Sequence, residues 1–165
     1  MANNNQIPAN DAAQLVELNI AGLNERMSKR LTMNVHGAND TIISEKLRNE
    51  QCWEPYETHL VVTHFHPGGV FLDIGANIGY YTLLASAIAG QEGQVIAYEP
   101  DVENFALLQE NVSLNQLYNV VLHPLALSDR NEDGKLFLSS DNFGDHRIYS
   151  DGGERHSRSI RLVHG

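Results

Sequence analysis

The chain has 165 residues, 42% of them hydrophobic, as is typical of one globular domain of ordinary size. Its 11 basic and 21 acidic side chains give a formal net charge of -10, which repels phosphate backbones and argues against nucleic-acid binding. The N-terminus lacks the positive charge and apolar segment of a signal peptide. The longest apolar-leaning run, from Tyr80 to Ala89, is far shorter than the roughly 20 residues that a membrane span needs. We therefore expect a cytoplasmic protein with no membrane partner.

Residues 1–52 are predicted to form an N-terminal extension that contains both helix and strand. The alternation of apolar and polar residues from Leu31 to Val35 predicts a short strand, and a turn follows at residues 37–40. A helical segment is predicted over residues 41–49. Before these, a helix starting at Asp11 is predicted from apolar residues spaced in steps of three and four; they are Val16, Ile20, Leu23, Met27 and Leu31.

Residues 53–165 are predicted to form a Rossmann-like α/β domain with a doubly wound, mostly parallel sheet. Pro55 opens a helix that runs to about Phe65, and strand and helix patterns then alternate along the chain. Because short apolar strands in such sheets lie between two layers of helices, we expect the strand at residues 70–74 to be buried on both faces. The other predicted elements are helices at residues 80–89 and 102–114 and strands at residues 95–98 and 120–123.

The last part of the chain, beyond Ser128, has a different pattern. Strands are predicted over residues 135–138 and 159–163. The polar segment between them, residues 139–158, is predicted to be a long loop that either stays in solvent or folds over a ligand as a lid. The chain stops at Gly165 directly after a strand pattern and has no closing helix. We therefore expect it to be truncated, with the C-terminal strands of its fold missing.

A glycine-rich turn, Asp73-Ile74-Gly75-Ala76-Asn77-Ile78-Gly79, joins the first predicted strand of the domain to its helix. Glycines let the backbone turn sharply and approach a ligand closely, and ligands of such sheets bind at the carboxyl ends of the strands. The turn departs from the dinucleotide fingerprint Gly-x-Gly-x-x-Gly, because Asn77 replaces its second glycine. Asp73 would also repel a pyrophosphate, so the turn favours a ligand with an ammonium or sulfonium group.

Glu99 is the second acidic residue of interest, since it follows the next predicted strand, about 20 residues after Gly79. A carboxylate at this place can accept hydrogen bonds from both hydroxyls of a ribose. NAD-binding domains also use such an acid, so Glu99 alone does not choose the ligand. Together with Asp73 and the Gly-x-x-x-Gly spacing, it favours S-adenosylmethionine over NAD. Alternatively, the glycines bind no ligand and only allow the sharp turn between strand and helix.

The motifs also carry a resemblance to a known family. The segment from Pro67 to Thr82 resembles the first motif of FkbM-type methyltransferases, and Ala97-Tyr98-Glu99-Pro100 resembles their second motif. Residues 111–115, residues 126–129 and Trp53-Glu54-Pro55 resemble further conserved segments of the family. The resemblance therefore covers about residues 53–145. It implies a class I methyltransferase fold and methyl transfer from S-adenosylmethionine to a hydroxyl of a sugar or small metabolite. The family's later Lys-x-Asp-x-Glu-Gly pattern is absent from this sequence.

The resemblance also implies which residues bind the cofactor. Glu99 would hold the ribose, and its neighbour Pro100 is included in the predicted site. Ala126, after the third strand of the domain, would lie beside the adenine. The methionine part would be wrapped by the residues of the first motif, which are Asp73, Gly75, Ala76, Asn77 and Gly79.

A catalytic base is not identified by the sequence. His64 and His66 precede the first strand of the domain, which predicts surface or core positions far from the ligand, whereas His123 ends a strand near the ligand edge. Trp53 is predicted to be a core residue or to lie near the cofactor, and the single Cys52 to be a buried thiol without a disulfide. No spacing forms a recognisable metal site. The remaining candidates are three residues of the long loop, Asn142, Asp145 and His146.

Two other functions stay open at this point. One is a non-catalytic domain that binds a cofactor or a partner, which the expected truncation of the chain supports. The other is an NAD-dependent oxidoreductase, which the missing middle glycine disfavours.

Overall fold

The computed structural model describes residues 12–24, 30–150 and 152–165. Within these ranges the chain forms four helices and strands that belong to three small sheets. None of the described helices is long and apolar enough to cross a membrane. In chain order the elements are β1 (Gln14–Glu17), β2 (Thr32–Val35), α1 (Ile43–Glu50), α2 (Pro55–His64), β3 (Val70–Ile74), α3 (Tyr80–Ala89), β4 (Gln94–Tyr98), α4 (Val102–Leu114), β5 (Val120–His123), β6 (Ala126–Ser128), β7 (Glu132–Phe137) and β8 (Ser157–His164).

The central sheet consists of β3, β4 and β5, which are neighbours in that order and all parallel. With α3 and α4 between the strands, this is the Rossmann-like β-α-β-α-β unit that the sequence predicts. Helix α3 stops at Gly90 and α4 at Asn115, as the sequence also predicts. The register places Ile74 beside Tyr98 and Tyr98 beside His123. The carboxyl ends of the three strands therefore lie together at one edge.

The two faces of the central sheet differ in burial. Leu83 of α3 and Leu108 of α4 share one core cluster with Ala97 of β4, so both helices cover the same face. On the opposite face the side chains of Val70, Leu72 and Ile74 are 67%, 52% and 59% exposed. The prediction that β3 is buried on both faces is wrong, because the described residues supply helices for one side of the sheet only. A doubly wound sheet has a layer of helices on each face, and the described residues form one of these two layers.

The N-terminal helix prediction is also wrong over its described part. Residues 14–17 form β1, which pairs antiparallel with β2, placing Val16 opposite Met33. The buried residues are Val16, Leu18 and Ile20, with exposed residues between them. That period of two belongs to an extended chain, whereas the predicted helical stripe left Leu18 out. Asp11 and Met27 lie outside the described residues, while the strand predicted over residues 31–35 is confirmed as β2.

The extension is joined to the central unit by a shared core and by two asparagines, Asn111 of α4 and Asn115 directly after it. The Asn111 amide accepts a hydrogen bond from Asn34 N at 2.6 Å and donates one to Asn34 O at 2.9 Å. Asn115 Oδ1 accepts from Thr32 N at 3.0 Å. These amides satisfy backbone groups along β2 that lack a strand partner on that side. Helices α1 and α2 agree with the predictions for residues 41–49 and 55–65, and a domain boundary near residue 53 stays a prediction.

The third sheet follows the central one along the chain, and in it β8 lies between β6 and β7. Ala126 of β6 pairs with Leu162 in a parallel register, and Lys135 of β7 pairs with Ser159 in an antiparallel one. The strands predicted near residues 135–138 and 159–163 are therefore confirmed, whereas β6 was not predicted. This sheet has its own cluster of buried side chains, consisting of Ala126, Leu136, Ile160 and Leu162.

Candidate functional site

The glycine turn after β3 folds back onto the end of β4. The backbone N–H groups of Gly75 and Ala76 both donate to Tyr98 O, at 2.9 and 3.0 Å. Gly75 has a φ of 77° and Asn77 a φ of 51°, both in the left-handed region, which Gly and Asn adopt more readily than other residues. A Cβ built on Gly75 would meet no atom within 4 Å, so open space lies over the turn.

Gly79 serves the packing of two helices. It has a φ of 96°, and a Cβ built there would lie 2.5 Å from Leu108 Cδ1 of α4. A side chain at this position would require the buried Leu108 side chain to move. Gly79 therefore lets the start of α3 approach α4, and it lies apart from the cavities described below.

Glu99 follows β4 and fixes the glycine turn from the neighbouring strand. Its side chain accepts two backbone hydrogen bonds, from Asn77 N to Oε2 at 2.7 Å and from Asp101 N to Oε1 at 2.8 Å. The residue is 5% exposed. Burial raises the pKa of Glu99 to about 7 although the two N–H donors act in the opposite direction, and the negative charges of Asp101 and Asp73 add to the rise.

Asp73 lies within β3 under α3 and is 7% exposed. Its Oδ2 accepts a hydrogen bond from Thr82 Oγ1 of α3 at 2.5 Å. Burial raises the pKa of Asp73, and the hydrogen bond from Thr82 opposes that rise. The contact with Thr82 fixes the direction of this carboxyl group.

Two cavities lie on either side of the turn. The larger one, which we call the Glu99 cavity, has a volume of about 480 Å³ and is also lined by Pro100 and Ala126. The smaller one, the Asp73 cavity, measures about 330 Å³ and is also lined by Ala76. Every predicted cofactor-binding residue except Gly79 lines one or both of them. They share four residues, Ile74, Gly75, Asn77 and Gly144.

The loop between β7 and β8 forms one wall of the Glu99 cavity with residues 143–149. Phe143 O accepts hydrogen bonds from Asn77 Nδ2 at 2.9 Å and from Asn104 Nδ2 at 3.1 Å. The Phe143 ring meets the His36 ring edge-on, with 4.7 Å between centroids. These contacts hold the loop against the cavity, and its role as a lid over a ligand stays a prediction.

The loop residues predicted as candidates, Asn142, Asp145 and His146, each form hydrogen bonds or ion pairs with other residues of the loop. Ser139 N donates to His146 Nδ1 at 3.1 Å, which places the imidazole proton on Nε2 when the ring is neutral. Burial lowers the pKa of His146 and thereby favours this neutral form. Asp145 pairs with Arg155 at 2.7 Å and Arg147 at 2.8 Å, which hold its pKa low. Asn142 accepts a hydrogen bond from Gly144 N. His146 thus presents an N–H donor at Nε2 in its neutral form.

The remaining candidates lie at different places. His64 ends α2 and His66 precedes β3, so both lie at the amino end of the sheet and away from Glu99. His123 stacks on Tyr98, with 4.7 Å between ring centroids. Cys52 is half-buried, not fully buried as predicted, with Sγ 3.4 Å from Tyr80 Oη. Among the described residues, no group of three or more His, Cys, Asp and Glu side chains is placed to hold a metal ion.

Glu54 and Tyr81 are site residues that the pattern analysis did not single out. Both line the Asp73 cavity, and Tyr81 Oη donates to Glu54 Oε2 at 2.9 Å. Glu54 has a φ of 40°, a costly conformation for a residue other than Gly or Asn. Trp53 lines the same cavity and also packs against the core, so its core position is confirmed and its closeness to a cofactor stays a prediction. The only sequence signal for this segment was Trp53-Glu54-Pro55 as a landmark of the FkbM resemblance.

No protein-family model and no curated protein sequence matches this chain. Its fold has partial likenesses among solved structures. A protein-L-isoaspartate O-methyltransferase aligns with 42% of this chain and 22% of its own, at 21% identity and a TM-score of 0.39. An S-adenosylmethionine-dependent methyltransferase from Aquifex aeolicus aligns with 46% of this chain and 39% of its own, at 26% identity and a TM-score of 0.38. Trm5b from Pyrococcus abyssi aligns with 73% of this chain and 38% of its own, at 18% identity and a TM-score of 0.36.

The chain therefore spans less than two fifths of the length of each of these three proteins. The neighbours include S-adenosylmethionine-dependent methyltransferases, and the likeness is confined to part of the fold. Membership of the FkbM family stays a prediction from the sequence motifs.

Proposed function

We propose that this chain binds S-adenosylmethionine and belongs to a methyltransferase that acts on a hydroxyl oxygen of a sugar or small metabolite. One observation carries the proposal. The glycine turn and Glu99 meet at the ends of the adjacent strands β3 and β4, with Asn77 N 2.7 Å from Glu99 Oε2. Both border the Glu99 cavity, at the edge of the sheet where α/β folds bind nucleotides.

The residues of the Glu99 cavity fit an adenosine. A carboxylate offers about four lone-pair positions, and each Glu99 oxygen accepts one backbone N–H. Acceptor positions therefore remain for the two hydroxyls of a ribose. Pro100 and Ala126 contribute apolar wall for an adenine ring, and the open space over Gly75 admits a ligand close to the backbone.

The Asp73 cavity fits the amino-acid end of the same cofactor. When bound, the cofactor supplies a methyl group on a positively charged sulfur, which is reactive without further activation. The chain contributes position: the ribose is held at Glu99, and acidic side chains face the charged end. Positioning of this kind lowers the barrier of a reaction between two bound groups. The loop at residues 143–149 forms one wall of the Glu99 cavity, beside the place proposed for the adenosine.

Isothermal titration calorimetry with S-adenosylhomocysteine and with NAD tests the proposal. The native chain should bind S-adenosylhomocysteine and not NAD. Glu99→Ala should weaken that binding by about 1–3 kcal/mol, because the ribose hydroxyls lose a charged acceptor. Glu92→Ala, which changes an exposed acid in the turn between α3 and β4, is the matched control and should bind like the native chain.

Three outcomes would count against the proposal. A folded sample that does not bind S-adenosylhomocysteine would remove its basis. Binding of NAD in its place would favour the oxidoreductase. Binding of S-adenosylhomocysteine without methyl transfer, by this chain and by any longer form of the protein, would favour a non-catalytic binding domain.

A further inference from the structure

The Asp73 cavity holds a second carboxylate, that of Glu54. Glu54 is half-buried, and Tyr81 Oη donates to its Oε2. Among the residues that the structure describes, no other group donates to this carboxylate, so Oε1 keeps its acceptor positions. The left-handed φ of 40° at Glu54 directly precedes Pro55, the first residue of α2. Glu54 thus lies at the N-terminal end of this ten-residue helix, which carries partial positive charge.

The position of this carboxylate relative to Glu99 defines a ligand with two ends. The Glu99 and Asp73 cavities meet at Ile74, Gly75, Asn77 and Gly144. Gly75 and Gly144 bring no side chain to that junction. A ligand whose ribose lies at Glu99 can therefore extend across the turn, and its other end then lies beside Glu54.

Two carboxyl groups in this cavity could meet a cation, and they differ in availability. Asp73 is nearly completely buried and is engaged by Thr82. Its burial favours the protonated form, which binds a cation poorly. Glu54 is more exposed and retains a free oxygen. The aromatic rings of Trp53 and Tyr81 line the same cavity, and aromatic faces attract cations.

We propose that Glu54 binds the α-ammonium group at the amino-acid end of the cofactor, and that Tyr81 holds the Glu54 carboxylate in place. This assignment rests on the proposed function, which places adenosine in the Glu99 cavity. The chemical class of ligand is then a nucleoside joined to an α-amino acid. A plain nucleoside would bring no donor to Glu54 Oε1, and a dinucleotide would bring a phosphate towards two carboxyl groups.

Calorimetry with two ligands isolates the contribution of Glu54. S-adenosylhomocysteine carries the amino-acid end, whereas 5′-methylthioadenosine shares the adenosine and the thioether and lacks that end. Glu54→Gln should weaken the binding of S-adenosylhomocysteine about 10- to 100-fold, the usual effect of losing a hydrogen bond between charged groups, and leave that of 5′-methylthioadenosine unchanged. Tyr81→Phe should weaken only S-adenosylhomocysteine, by a smaller factor.

Two further variants serve as references. Glu57→Gln changes an exposed acid in the first turn of the same helix and should bind both ligands like the native chain. Glu99→Ala should weaken both ligands, because both contain the ribose. Unchanged affinity of Glu54→Gln for 5′-methylthioadenosine also reports that the variant is folded.

The results separate this inference from the function on which it rests. If the native chain binds both ligands and Glu54→Gln keeps its affinity for S-adenosylhomocysteine, the role of Glu54 is overturned while the proposed function stands. The same conclusion follows if Glu54→Gln weakens both ligands equally. If the folded native chain binds neither ligand, the proposed function fails and this inference fails with it.

Discussion

Replacing Glu99 by glutamine should remove a large part of the pH dependence of folding stability. Burial raises the pKa of Glu99 from its ordinary 4.5 to about 7. Between these two pH values the folded chain holds a proton that the unfolded chain has released. The stabilisation from this proton is complete below pH 4.5, decreases as the pH rises, and is lost above about pH 7.

The two pKa values give the magnitude. At about 1.36 kcal/mol per pKa unit, the difference corresponds to about 3 kcal/mol of unfolding free energy. Most of this, about 2.5 kcal/mol, should be lost between about pH 5 and pH 8. The amide introduced by Glu99→Gln does not titrate, so the variant should lack this part of the slope. It should also show a constant loss of about 1–3 kcal/mol, because its amide N–H₂ would face a backbone N–H of Asn77 or Asp101.

Urea unfolding at several pH values, followed by the fluorescence of the single Trp53, measures both quantities. The two proteins differ at position 99 alone, so contributions that they share cancel in the difference between the two curves. The stability difference should shrink as the pH rises, because only the native chain loses the contribution of Glu99. Parallel curves, with a difference independent of pH, would refute the reasoning that Glu99 is protonated in the folded chain at mildly acidic pH.

Two further predictions concern packing and the loop. Gly79→Ala should lower the unfolding free energy by about 2–4 kcal/mol, because the new methyl group crowds Leu108 and the left-handed backbone is strained. The control Gly68→Ala has a similar φ of 77° but no atom within 4 Å of the new Cβ, so it should lose only about 1 kcal/mol. Equal losses in urea unfolding would contradict the close approach of α3 and α4. Asn104→Ala should speed amide hydrogen exchange in residues 139–150, because Phe143 O loses one of its two side-chain donors, while Gln109→Ala on the exposed side of α4 should not. Unchanged exchange in Asn104→Ala would show that Asn104 does not hold the loop.

The central unit was predictable because its signals are local. Short apolar runs give β3, β4 and β5, and Gly90 and Asn115 end the helices between them. Once three strands are parallel, their carboxyl ends share an edge, so Asp73 and Glu99 both lie near that edge of the sheet. Most of the predicted cofactor site follows from that topology alone.

The N-terminal error has a physical cause. Val16, Ile20 and Leu23 match a helical spacing, but the buried set also includes Leu18. An alternating pattern accounts for Val16, Leu18 and Ile20 together. Pairing with β2 supplies the hydrogen bonds that a strand requires, and a single segment does not contain that information.

The position of the loop could not be read from the sequence because its contacts are distant along the chain. Asn77 and Phe143 are 66 residues apart, and Asn104 and Phe143 are 39 residues apart. Glu54 is placed beside Asp73 in the same way, by the packing of α2 and α3. The sequence contains no periodic pattern or turn signal from which either contact could be predicted.

The bare face of the central sheet has a consequence for energetics. Val70, Leu72, Ile74 and Val121 keep between 39% and 67% of their surface in water. Full burial of an aliphatic side chain contributes about 1.5–3 kcal/mol, so a layer covering these four would add several kcal/mol, comparable with the net stability of a whole domain. An unfolding free energy measured on this chain alone should therefore be a lower bound for the same sheet with both faces covered.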